Sequence, residues 1–293
     1  MTQPLVSIEA LSAASVRDCG AAVLRNVSLK LERGEVCGLV GESGAGKSTI
    51  AKALLGILPA TIRVTAGRMH FEERDLLTMP SGELRALRGR DITLIPQDPQ
   101  TALNPGRTIA AQLTDGLRMK LGLRGAALQD RALELLDEVQ IRDPSRVLKS
   151  YPHELSGGMR QRILIAAAFA PNPRLVVADE PTTALDVTVQ KEILRLMRRM
   201  QERHGTGVIF VTHDLGVVAK ICDSVTLLFA GTVIEAGPTA DLIEHPRHAY
   251  TRALLAAGPR YDRPGQGLEP VPDAIIRQLR AEIATADAKG AGA

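Results

Sequence analysis

The eight residues Gly41-Glu42-Ser43-Gly44-Ala45-Gly46-Lys47-Ser48 carry the most specific chemistry in the chain. The glycines let the backbone curl so that its N–H groups point inward, which makes a cradle for anionic oxygens. Lys47 adds a point charge suited to the β- and γ-phosphates of a nucleotide, and the Ser48 hydroxyl is a ligand for Mg²⁺. A helical stretch from Thr49 to Leu58 follows, and the positive end of a helix dipole favours the same anion. A nucleotide's phosphates and Mg²⁺ are therefore the expected ligands of residues 41–49.

A second cluster is the apolar run Leu175-Val-Val-Ala178 ending in Asp179 and Glu180. One carboxylate at a strand end can stand beside a Mg²⁺ shell while the other polarises an attacking water. Alone the pattern is weak, because many buried strands end in Asp; with the glycine-rich loop it completes the pair used in nucleotide hydrolysis. A third cluster, Leu155-Ser156-Gly157-Gly158-Met159-Arg160-Gln161, places a serine and two glycines at the start of a helix. Ser156 as a plain helix cap explains it. So does a second phosphate-binding turn, and since one such loop already serves a nucleotide, this one would face the nucleotide of another subunit.

These groups need a frame to hold them. Val6, Ile8, Val23, Val27, Leu29 and Leu31 cluster or alternate as β-strands near the N-terminus. Val36–Val40 is a short apolar strand ahead of the glycine-rich loop, and strands recur at Leu175–Ala178, Val208–Val211 and Val225–Phe229. Residues 101–169 are mostly helical in pattern, with an amphipathic helix at Leu128–Val139. Another helix spans Val189–His204, with Val189, Ile193, Leu196, Met197 and Met200 on its apolar side and Arg195, Arg198, Arg199 and Arg203 outside, most simply a solvated face. Strands alternating with helices predict an α/β fold with a parallel sheet, into which the helical middle is inserted.

Bulk properties narrow the class. In 293 residues, 36 basic side chains nearly balance 33 acidic ones, and aromatics are 2% with no Trp, so nucleic acid is not an expected partner. Cys19, Cys37 and Cys222 match no metal or redox spacing and read as small apolar fillers. No apolar run approaches the ~20 residues needed to span a bilayer, and the N-terminus lacks the regions of a signal peptide. Asn26-Val-Ser28 fits a glycosylation pattern by chance. The end, residues 286–293, is rich in Ala and Gly and is expected to fray.

Taken in order, the motifs resemble those of ATP-binding-cassette (ABC) ATPases over about Val6 to Gly258. The 155–161 stretch is similar to the family signature, with Met159 where Gln is commoner. Gln97, in Ile-Pro-Gln97-Asp-Pro, looks like the Q-loop glutamine. Pro181-Thr-Thr-Ala-Leu-Asp186 looks like the D-loop, with Thr183 where Ser is commoner, and His213 looks like the switch histidine. The resemblance implies a P-loop NTPase (RecA-like) ABC cassette with an inserted helical subdomain (about 98–170) and an N-terminal antiparallel β subdomain. It implies a nucleotide-binding domain over 1–258 and a partly flexible extension over 259–293. Catalysis would rest on Glu180, His213 and Gln97, and Mg²⁺ on Ser48, Gln97 and Asp179. Ser156, Gly157, Gly158 and Met159 would serve a partner's nucleotide. One departure is the lack of an aromatic near the end of the first strand to stack on adenine, which leaves Val16 or Arg17 to cover the base.

The resemblance also implies partners: a second ABC ATPase subunit (homo- or heterodimeric), two membrane permeases and a periplasmic solute-binding protein, with this chain peripheral on the cytoplasmic face of a bacterial inner membrane. Ile95–Pro105 and His245–Leu255 are similar to the peptide/nickel importer ATPases. No cysteine follows Cys222, and Leu55–Ala60 and Ser145–Pro152 resemble the nickel-import branch. Nickel or a nickel-chelate is the expected cargo, with dipeptides or oligopeptides as the alternative.

Overall fold

The computed structural model describes residues 3–18, 20–183, 185–257 and 271–290. Cys19, Ala184 of the D-loop stretch, and 258–270, where the expected domain boundary falls, lie outside the described residues.

Two sheets build the frame. In the first, β1 (Val6–Ser15) lies between β2 (Ala22–Leu31) and β4 (Ile62–Phe71), and the short β5 (Arg74–Asp75) extends β4. All pairings are antiparallel, with Ile8 opposite both Leu29 and Met69. The second sheet runs β10 (Thr232–Pro238), β9 (Ser224–Phe229), β3 (Val36–Gly41), β8 (Gly207–Thr212), β7 (Leu175–Asp179), β6 (Ile92–Ile95). It is parallel except at β10. Its centre, β3 and β8, is buried on both faces, which is why those strands read as unbroken apolar runs. Period-two alternation sends Cys37, Leu39, Ile209 and Val211 toward the antiparallel sheet and α1 (Lys47–Leu54). Val36, Val40, Val208 and Phe210 point the other way, into the helices.

The crossovers follow in chain order. After α2 (Ser81–Leu87) and β6 come α3 (Pro99–Ala102), α4 (Ile109–Leu121), α5 (Gly125–Glu138), α6 (Pro144–Lys149) and α7 (Gly157–Phe169), the inserted helical layer. Leu128, Ala132, Leu135 and Leu136 of α5 are buried at the spacing of one helix face. Then α8 (Val187–His204) links β7 to β8 and α9 (Leu215–Ile221) links β8 to β9. The chain closes with α10 (Thr239–Glu244), α11 (Ala249–Ala257) and α12 (Asp273–Gly290).

One boundary differs from the sequence expectation. The helix after the glycine-rich loop stops at Leu54 instead of Leu58. Gly56, at φ +61°, closes the helix: its N–H donates to Ala53 O and that of Ile57 to Lys52 O, each at 2.9 Å. In the Ala-rich end, α12 runs on past residue 286 to Gly290, and 291–293 lie outside the described residues. Ala is a strong helix former, and Arg25 Nε donates to both oxygens of Asp287 at 2.9 Å. That ion pair ties the C-terminal helix to β2. Cys37 and Cys222 are free and buried, and burial pushes the Cys37 thiol up to about 11, in keeping with an inert filler.

Candidate nucleotide site

Four adjacent parallel strands deliver the sequence-predicted groups at their C-terminal ends, the usual ligand edge of an α/β sheet. Gly41 closes β3, Asp179 closes β7, Gln97 follows β6 by two residues and His213 follows β8 by one. Register sets their relative heights: Val40 pairs with Thr212, Val211 with Asp179, and Ala178 with Ile95. Residues 41–49, Gln97, Glu180 and His213 line one cleft of about 730 Å³.

The loop itself is held from below. Gly46 has φ +100° and caps α1, and a Cβ there would come within 2.6 Å of Leu24, so only glycine lets the loop close against β2. Gly231, in the β9–β10 turn, donates its N–H to Ala45 O at 3.0 Å. Lys47 is 5% exposed and folds back to donate to Gly41 O at 2.6 Å and Glu42 O at 2.9 Å. Burial draws its ammonium below the usual lysine range, against the pull of Glu180, Asp179 and Glu42. A phosphate arriving in the loop would replace those carbonyl partners with full negative charge.

The two carboxylates are set differently. Burial and the neighbouring Glu180 push Asp179 above the usual carboxylate range, while Lys52, Ser48 and Lys47 pull it back. The Ser48 hydroxyl faces Asp179 Oδ1 at 3.5 Å, the outer edge of hydrogen bonding. Glu180 has φ +45°, left-handed for a residue with a side chain, and its N–H is anchored on Val211 O at 2.9 Å. Its carboxylate accepts from Thr183 Oγ1 at 3.0 Å and Gln97 Nε2 at 3.2 Å, and His213 Nδ1 stands 3.4 Å away. The backbone is thus pinned through its N–H to β8, while Gln97 and Thr183 from two loops hold the carboxylate.

The donors fit Mg²⁺, which takes oxygen ligands through one or two carboxylates with substrate phosphates and water. Ser48 and Asp179 face each other, and Gln97, with its Nε2 on Glu180, keeps its Oε1 for a cation.

The signature residues stand apart. Ser156 Oγ accepts from Met159 N at 3.3 Å as the cap of α7, yet Ser156, Gly157, Gly158 and Met159 do not line this cleft. Both sequence readings of Ser156 are thus compatible with its geometry. Asp186 caps α8, accepting from Thr188 N and Val189 N at 3.0 and 2.9 Å.

Val16 and Arg17 are likewise outside the cleft lining, and Val16 is 60% exposed. The apolar lining comes from Val23 of β2 and Leu254 of α11. One turn before Leu254, Tyr250 is fully buried, stacks edge-on against Phe229 at 5.0 Å, and has Glu42 as its electrostatic neighbour. Burial first, and Glu42 second, push its phenol up. The involvement of Val23, Thr183, Tyr250 and Leu254 was not foreseen. Thr183 sits in the D-loop stretch and Tyr250 and Leu254 in the His245–Leu255 stretch; Val23 and Leu254 reach the cleft lining through tertiary packing, while Tyr250 is buried outside it.

Comparison with known proteins agrees with this arrangement. The model of the ABC transporter family matches residues 24–183, and that of the oligopeptide/dipeptide transporter C-terminal region matches 234–282. A peptidoglycan transport ATP-binding protein of Agrobacterium fabrum is 48% identical over 265 residues, covering 90% of this chain and 48% of that protein. The chain thus spans about half the length of that relative. A probable D,D-dipeptide transport ATP-binding protein of Escherichia coli is 45% identical over 277 residues, covering 94% of this chain and 84% of its own length. A dipeptide transport ATP-binding protein of Bacillus subtilis is 45% identical over 249 residues, covering 85% and 74%.

Among solved structures, a component of an ABC transporter complex from Clostridium perfringens superposes with a TM-score of 0.72 at 26% identity, over 83% of this chain and 92% of its own. An ATP-binding cassette solved as a dimer in a post-hydrolysis state with ADP and Pi gives 0.68 at 29%, over 80% and 98%. The nickel expectation finds no support here: the three relatives are named for peptide or peptidoglycan transport. On the motifs, the strand-end geometry and both matched regions together, the chain belongs to the ATP-hydrolysing cassettes of the ABC transporter family, in the branch that carries the oligopeptide/dipeptide C-terminal region.

Proposed function

We propose that this chain powers peptide import as one cassette of a pair beneath two membrane permeases fed by a solute-binding protein. The observation that carries the reading is the C-terminal match over 234–282, which takes in α10, α11 and part of α12. The relatives named for dipeptide transport support it. The chain would sit peripherally on the cytoplasmic face of the inner membrane; among the described residues no helix is long and apolar enough to cross a bilayer. Residues 1–258 would form the cassette, with about 98–170 as its helical subdomain and 259–293 as an extension.

In this reading residues 41–49 bind the ATP phosphates, with Lys47 as the point charge. Ser48, Asp179 and Gln97 would hold Mg²⁺, which when bound neutralises phosphate charge. Glu180 accepts a proton from the attacking water, with the donors Gln97 and Thr183 orienting its carboxylate and His213 beside it. Ser156, Gly157, Gly158 and Met159 close over the partner's ATP, with Asp186 beside the shared interface. The support for a partner role is that these exposed N-terminal N–H groups of α7 have no nucleotide of their own to serve. Tighter binding of the closed pair to ATP than to ADP would convert hydrolysis into movement.

The test is uptake of labelled dipeptide, with labelled nickel in parallel, by cells lacking this chain and by cells given it back. Loss and rescue of dipeptide uptake alone is the expected result. Unchanged dipeptide uptake would refute the peptide reading.

A further inference from the structure

Helix α8 carries four arginines that the nucleotide cleft does not use. Two are neutralised locally: Arg198 pairs with Glu202 and Asp223, each at 3.0 Å, and Arg203 reaches Glu138 at 3.4 Å. Arg195 and Arg199 have no ion pair or side-chain hydrogen bond among the described residues. They stand one turn apart on the same helix face, a spacing that repels like charges. Arg142, from the α5–α6 connection, is also unpaired among the described residues.

Arg142, Arg195 and Arg199 converge with Arg162 of α7 on a cleft of about 440 Å³ whose other lining residues are Gln140 and Glu192. Arg162 is already ordered. Its side chain is 15% exposed, its Nη1 donates to Val139 O at 2.9 Å and Gln140 Oε1 at 3.5 Å, and its Nη2 to Glu192 Oε2 at 2.8 Å. Four guanidinium groups thus face one carboxylate, and that carboxylate is engaged.

The geometry points to a binding site for a phosphate-bearing anion between α7 and α8, separate from the nucleotide cleft. Planar guanidinium forks match phosphate oxygens in pairs, and a concave wall of one sign concentrates the field. The lining has no aromatic or aliphatic side chain to grip a base or an acyl tail, so recognition rests on the phosphate itself. The two clefts share no residue. Arg195 and Arg199 lie about 12 and 18 Å along α8 from its start at the nucleotide edge, at 1.5 Å per residue.

A free phosphorylated solute and a lipid headgroup present the same chemistry, and two arms tell them apart. The full chain, its nucleotide cleft saturated with a non-hydrolysable ATP analogue, is titrated calorimetrically with inorganic pyrophosphate at physiological salt. In parallel it is sedimented with vesicles of phosphatidylglycerol or of phosphatidylcholine alone. Wild type is expected to bind pyrophosphate, or phosphatidylglycerol over phosphatidylcholine. The Arg195→Gln/Arg199→Gln variant is expected to lose about tenfold per arginine in the same arm while hydrolysing ATP normally. Pyrophosphate binding identifies a soluble ligand, and vesicle binding a headgroup. The site is overturned if wild type binds neither probe or the double variant binds as well as wild type. It is equally overturned if Arg277→Gln/Arg280→Gln, which removes two charges from α12, loses as much.

Discussion

Glu180 is held by two side-chain donors in a backbone conformation that few side chains adopt, so its replacement separates binding from chemistry. Glu180→Gln keeps a carbonyl oxygen for Thr183 and Gln97 but cannot take a proton. ATP affinity should stay near wild type while turnover falls about 100-fold or more, measured by equilibrium nucleotide binding and by phosphate release. Asp179 makes a different prediction. Its folded pKa is raised above 3.8, chiefly by burial and then by Glu180. The folded chain therefore holds that proton more tightly than the unfolded chain, and stability falls as pH rises from about 3.8 through the raised value. Asp179→Asn removes the penalty. Without nucleotide its Tm should exceed wild type at neutral pH, the gain shrinking to nothing as pH falls toward 3.8, while ATP hydrolysis is lost. A Tm difference independent of pH would show that the carboxylate's ionisation is not the cause.

At the scale of elements, α11 brings the C-terminal region to the nucleotide. Tyr250 packs on Phe229 and faces Glu42, and Leu254 lines the cleft opposite Val23. Leu254 is half-buried, so Leu254→Ala removes about 1 kcal/mol of apolar contact at most, and nucleotide affinity should weaken about fivefold with little change in Tm. An unchanged affinity would detach α11 from the site. Asp186, as the cap of α8, should cost about 1 kcal/mol of stability when changed to Ala, read from denaturant unfolding of the nucleotide-free chain.

At the scale of the molecule, the cleft leaves the signature residues unused. A Cβ on Gly157 would meet nothing within 4 Å, and Ala is the better helix former. Gly157→Ala should therefore leave the free chain at least as stable as wild type. If a second copy or a related cassette lays its ATP there, the same change should lower hydrolysis and weaken the ATP-dependent dimer of the Glu180→Gln background, followed by light scattering. Undiminished hydrolysis would remove the partner role of that turn.

The glycine-rich loop and the paired carboxylates were legible because each is a short local pattern bound to a strand end, whereas Gln97 and His213 were singled out by their resemblance to the family's Q-loop and switch positions. The central strands were equally legible: a strand buried on both faces must be apolar throughout, and Val36–Val40 and Val208–Val211 are. What one sequence determined alone is therefore the chemistry and its scaffold, since backbone period and residue type write them locally. Tertiary structure decided what depends on separated segments meeting. It placed Val23 and Leu254 on the apolar wall of the cleft and set α12, as far as Gly290, beside Arg25. It also divided the arginines of α8 into two that are neutralised and two that are not, because their partners, Asp223 and Glu138, come from other elements. Periodicity could place all four on a solvent face, but charge balance on that face is a sum over the whole fold.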